Sequence, residues 1–207
     1  MIIIIPDGYQ FELHENGAIK KMYKVVDGKR EGKYYNYDSE GNLVKMGSYV
    51  NGARNGKFIT FYETGEQKSR YKIVDNLING IVRKYYKNKK IQEKYTMVDG
   101  LIQGSAEYYY ESGKLKEVIQ MQNSKRNGIF SSYDEEGNPV SKGTYKNDKL
   151  HGTLIYYNAS AIVIATEYYN RGELVSTPVV EYDDEDEIVE VVNEEPEEIL
   201  DEDKRIG

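Results

Sequence analysis

The chain has 207 residues, no cysteine, no tryptophan and 21 tyrosines, and charged residues make up 30% of it. This excludes disulfides and cysteine-based metal sites, and the scarcity of Leu argues against a helical bundle with its apolar stripe. The net charge of −7 hides an asymmetry: residues 176–207 carry 14 acidic and two basic side chains, whereas residues 1–175 carry 21 acidic and 26 basic ones.

The first residues, Met1-Ile2-Ile3-Ile4-Ile5-Pro6, read as a starting strand. Four apolar residues are too few for a signal segment, and no positive stretch precedes them. No window approaches 18 apolar residues, so no membrane-crossing helix is expected. The expected location is cytoplasmic as the sequence stands, or exported if a signal peptide has been removed.

From Gly8 onward the chain is periodic. Gly8, Gly32, Gly56, Gly80, Gly104, Gly128 and Gly152 recur every 24 residues, and the series stops at Ser176. Five residues after each glycine stand Leu13, Tyr37, Phe61, Tyr85, Tyr109, Tyr133 and Tyr157, a column expected to be structural. Two residues after it stand Gln10, Tyr34, Phe58, Val82, Ala106, Phe130 and Leu154, mostly apolar. A second glycine follows at Gly17, Gly41, Gly65, Gly113 and Gly137, with Lys89 and Ala161 as exceptions. Each unit closes on a turn pair such as Asp27-Gly28 or Asn51-Gly52. The glance of a phosphate loop at Gly52–Lys57 dissolves into this punctuation, since no Ser or Thr follows Lys57 and no helix pattern begins there.

Each unit thus reads as strand, turn, strand, turn, because Asn-Gly and Asp-Gly supply the positive φ that tight hairpins require. Seven units predict about 14 strands in one elongated antiparallel meander, roughly 65 Å long. In unit four Asn88 is expected to take the left-handed position in place of Lys89, which predicts the least regular first turn. Positions two and five after the repeat glycine have opposite parity. Either a bulge brings them to one face or both faces carry aromatic side chains.

The segment GKYYNYDSEGNLVKMGSYVNGARNGKFITFYETGEQKSRYKIVDN shows Gly, an aromatic five residues on, a second Gly, an apolar position, a Tyr and then Asn/Asp-Gly. It resembles the MORN-repeat variant of bacterial YwqK-like antitoxin repeat proteins. The resemblance covers residues 8–175 and implies antiparallel hairpins in a row. It implies protein or lipid binding more than catalysis.

Candidate chemistry is sparse. His14 and His151 are the only histidines and lie some six repeats apart, so no catalytic pair or metal cluster is expected. Acids near the hairpin turns, such as Asp38 and Asp134, fit turn chemistry. Basic residues such as Lys57 and Lys84 alternate with acids, and the body is too weakly basic for nucleic acid. Anionic lipid is disfavoured by the acidic tail.

The tail from 176 to 207 lacks calcium-loop spacing and reads as disordered by charge. Within it the apolar island Ile188–Val192 or a strand at 177–182 is expected to cap the sheet edge, or the island is expected to fold onto a partner. A single division at residue 175 therefore separates the array, 1–175, from the tail, 176–207.

The reading is an all-β repeat protein without enzymatic activity or cofactor, and a protein-binding scaffold. Tyr35, Tyr62, Tyr86, Tyr108 and Tyr110 are the expected partner-binding side chains, since amphipathic aromatics are enriched at interfaces. The alternatives are toxin neutralisation by an antitoxin or immunity protein, and an exported host-interaction or adhesion module.

Overall fold

The computed structural model describes residues 7–177, 180–182 and 188–191. The expected starting strand at Ile2–Ile5 and the bulk of the acidic tail lie outside these residues.

The seven units are seven hairpins. Their return strands are Ile19–Val26, Leu43–Val50, Gln67–Val74, Ile91–Val98, Leu115–Gln122, Pro139–Lys146 and Val163–Asn170. The outgoing strands are Gly8–Leu13, Lys29–Tyr37, Gly56–Phe61, Gly80–Tyr85, Leu101–Tyr109, Lys125–Tyr133 and Gly152–Tyr157. Every neighbouring pair is antiparallel, and one continuous sheet results. The sheet has 18 strands rather than about 14. Three outgoing strands are preceded by separate two-residue strands, Ala53–Arg54, Leu77–Ile78 and Lys149–Leu150, and Glu173–Ser176 adds a final strand. Val180–Tyr182 pairs with Ile188–Val191 in a two-stranded sheet of its own.

Backbone chirality explains the repeat glycine. All seven have positive φ, for example 101° at Gly56, just where the chain leaves a tight turn and the ladder is irregular. A Cβ at Gly56 would also stand 2.6 Å from the Ser48 hydroxyl. The turn pairs are left-handed at both positions, with φ of 49° and 70° at Asp27 and Gly28, as the twist of a two-residue hairpin demands.

Where that second position is not glycine, the side chain has a task. Asn76 and Asp148 accept a hydrogen bond from the backbone N–H of Arg54 and Arg126, each two residues past the preceding turn pair, at 2.9 and 2.8 Å. Ser124 accepts one from Ile102 at 2.9 Å. The same residues donate their own N–H to the carbonyls of Arg54, Arg126 and Ile102, so each turn is bonded twice to its predecessor.

The first turn of unit four departs from expectation. Lys89 itself takes the left-handed conformation, with φ of 70°, and Asn88 does not. Asn88 instead accepts a bond from the Lys90 N–H at 3.0 Å and donates to the Glu111 carbonyl at 2.8 Å. The turn is as regular as the others, closed by Lys89 N–H to the Tyr86 carbonyl at 3.0 Å, as Gly113 closes on Tyr110 at 2.8 Å. Asn88 is worth more as a bridge to the next repeat than as the strained residue.

The core lies on one face. Tyr34, Phe58, Val82, Ala106, Phe130 and Leu154, all two residues after a repeat glycine, are buried, joined by Val25, Ile73 and Ile119. No second layer covers them among the described residues, so side chains on the same face bury one another. Phe58, 0% exposed, stacks on Tyr71 at 5.9 Å, meets Tyr34 at 5.8 Å and lies under the Lys45 ammonium. Large rings are accommodated by small partners. Gly47 pairs with Tyr34, and Gly143 pairs with Phe130. A Cβ on Gly47 would stand 2.3 Å from the Phe58 ring. Arg30 lies over Tyr23 at 4.4 Å and Arg126 over Tyr145 at 4.2 Å, flattening cations onto this packed face.

The parity question resolves toward two aromatic faces. A register shift does occur beside the fifth position, between Asn36 and Tyr37 and again between Tyr108 and Tyr109. The extra residue sits on the return strand, so the outgoing strand keeps its alternation. Tyr37, Phe61, Tyr85, Tyr109, Tyr133 and Tyr157 are therefore half-buried beside the hairpin turns, on the side opposite the core column.

Candidate open-face site

Strand alternation sends the residues next to the core column to the other side of the sheet. The pairing register joins them into one row crossing all seven repeats. It begins Phe11, Met22, Tyr35, Met46, Ile59. It continues Arg70, Arg83, Lys94, Glu107. It ends Val118, Ser131, Lys142, Ile155, Thr166. The chemistry of the open face thus changes along the molecule: apolar in repeats one to three, cationic in three and four, mixed beyond.

The apolar end is hollow. Tyr9, Phe11, Met22 and Tyr35 line it, with Lys24 and Lys33 at its side. Tyr9 is 65% and Phe11 52% exposed. These two residues carry no strong repeat signal, because unit one departs from the pattern. They were legible only as a period-two alternation in Gly8–Leu13, exposed at every second residue.

The five tyrosines expected to bind a partner separate into three groups. Tyr35 lies in the hollow. Tyr108 stands on the packed face against the Ile119, Phe130 and Leu154 cluster, and burial pushes its hydroxyl pKa up. Tyr62, Tyr86 and Tyr110 form clasps. Their hydroxyls donate to the carbonyls of Tyr85, Tyr109 and Tyr133 in the next repeat, at 2.7, 2.6 and 2.8 Å. His14 makes the equivalent contact to the Tyr37 carbonyl at 3.0 Å. Where Asp38 and Asp134 occupy that position, their carboxylates instead accept from the side-chain amides of Asn42 and Asn138 and then from backbone N–H groups of their own turn, which holds both below the usual carboxylate range.

Glu107 ends the cationic part of the row. The Tyr109 hydroxyl donates to it, and Lys94 meets both its oxygens at 3.0 Å, so its pKa is lowered. Burial, then the Glu107 carboxylate, pushes Tyr109 up to about 12. Among the described residues no group of three His, Asp or Glu is placed to hold a metal ion. No helix of the described residues is long and apolar enough to cross a membrane.

No curated protein matches the chain. Four segments, residues 30–51, 78–99, 102–123 and 126–147, match the MORN repeat variant. Each segment begins in an outgoing strand, or in the short strand before it, and ends at the next turn pair. Those four segments of the chain are thus similar to the MORN repeat variant.

Proposed function

We propose that the protein is a non-catalytic scaffold whose open face, at repeats one to three, docks an apolar ridge of a protein partner. The observation that supports this is the row Phe11, Met22, Tyr35, Met46, Ile59 with Tyr9 beside it. The core of the sheet is built on the opposite face, so stability does not require large apolar side chains here. A contiguous strip of aromatic and Met side chains, exposed at Tyr9 and Phe11 and half-buried at Met22, Tyr35 and Met46, marks a protein-binding surface, and Met adapts its shape to a partner. A toxin is one protein that such a strip would neutralise by covering it.

The test is affinity capture from cells of the source, with wild-type bait and with the double variant Phe11→Ser, Tyr35→Ser. A specific partner lost from the double variant, whose circular dichroism spectrum matches that of the wild type, is the expected result. A partner held equally by both baits would overturn the assignment of the face.

A further inference from the structure

The cationic stretch of the open face is built against the ordinary rule of sheet pairing. Lys57 stands directly opposite Lys72, Arg70 opposite Arg83, and Arg83 opposite Lys94. Like charges in direct cross-strand pairs are destabilising. The fold does not require them, since the equivalent pairs elsewhere are Lys33 with Ser48 and Ile155 with Thr166. Relief is also scarce. Among the described residues Lys94 finds a carboxylate, Glu107, while Lys57, Arg70, Lys72 and Arg83 form no ion pair. Four uncompensated cations on three adjacent strands make a docking surface for a polyanion.

We propose that this patch holds an acidic peptide, and that its occupant is the segment 183–203 of the same chain. That segment carries 13 carboxylates and no Lys or Arg. Reach permits it. Ten strand spacings separate the Gly56–Phe61 strand, which carries Lys57, from the final Glu173–Ser176 strand, about 48 Å along the sheet. Docking opens the pairing of Val180–Tyr182 with Ile188–Val191, and twenty-one extended residues then cover about 70 Å. Arginine guanidinium groups donate two parallel hydrogen bonds to one carboxylate, and a tethered segment is presented at a high effective concentration that a free acidic protein must exceed. The tail then shields the cationic face until a more strongly bound anionic partner displaces it. This is independent of what the apolar hollow binds, because none of the patch residues lines that hollow.

The test is carbodiimide coupling, which joins a lysine amine directly to a carboxylate, applied to the full chain. An equimolar mixture of 14N and 15N chains is coupled and mapped by mass spectrometry. The expected products join Lys57 or Lys72 to carboxylates of 183–203 within one isotopic chain. Their yield should fall about tenfold in 1 M salt, where charges are screened within ~3 Å, and similarly in the Arg70→Gln, Arg83→Gln variant. Circular dichroism confirms that this variant folds. Products mixing the two isotopes would overturn the proposal in favour of a second copy's tail. Absence of tail coupling at Lys57 and Lys72, or a yield indifferent to salt and to the arginines, would overturn it outright.

Discussion

Phe58 touches Tyr34, Tyr71 and the space that Gly47 leaves open, and it is the most enclosed ring of the packed face. Its truncation, Phe58→Ala, should cost about 3–5 kcal/mol in urea unfolding, whereas Phe61→Ala, half-buried on the other side, should cost about 1–2 kcal/mol. Gly47→Ala should cost about 1–3 kcal/mol, because the added methyl enters the Phe58 ring. These contrasts also show where residue-level reading ran short. The most regular column in the sequence, Tyr37 to Tyr157, is not the core. The core column varies from Phe58 to Ala106, since each residue is matched to a cross-strand neighbour: Gly47 beside Tyr34, Ile119 beside Ala106. That matching becomes visible only once the register is known.

The tyrosines add a pH dependence. Burial pushes Tyr34 up to about 12, and burial with the Glu107 and Glu167 carboxylates does the same at Tyr109 and Tyr156. An unfolded tyrosine ionises near 10. The unfolded chain therefore releases these protons first, so the stabilisation is full below pH ~10 and is lost as pH rises toward ~12. The melting temperature should fall across that window, and Tyr109→Phe should reduce the fall. A flat profile between those values would contradict the assignment.

At the level of the hairpin, the turn pairs were readable because positive φ restricts residue choice so strongly. What the sequence concealed was the second use of turn residues. Asn76, Ser124 and Asp148 replace glycine at a strained position and gain a bond to the preceding turn. Asn88 bridges forward and leaves Lys89 strained. Lys89→Gly should accordingly stabilise the protein by about 1 kcal/mol, read as a higher urea midpoint. The clasp tyrosines were recognisable as exposed-looking aromatics, but their bonds to the next repeat depend on a 23-residue separation that only the stacked hairpins create. Tyr86→Phe should cost about 1 kcal/mol, while Tyr35→Phe should leave stability unchanged.

Across the whole molecule, each hairpin is bonded to its neighbours in the row, so stability is a sum of repeat and interface contributions. The two core clusters lie around Phe58 and around Phe130, and the column narrows between them to Val82 and Ala106. Hydrogen exchange should be slowest around these two clusters and faster in repeat one, whose Gly8–Leu13 strand contributes no buried side chain. The all-β repeat architecture was legible from the 24-residue period alone. The division into a packed and an open face was not, because both carry aromatics and parity alone assigns no solvent side.

That division is the centre of the account, and hydroxyl-radical footprinting of the captured complex tests it most directly. Binding should protect Tyr9, Phe11, Met22, Tyr35 and Met46, and leave Tyr62, Tyr86 and Tyr110 as they are in the free chain. Protection of Tyr49, Tyr71 and Tyr95 instead, with the hollow still reactive, would place the partner on the packed face and contradict the assignment.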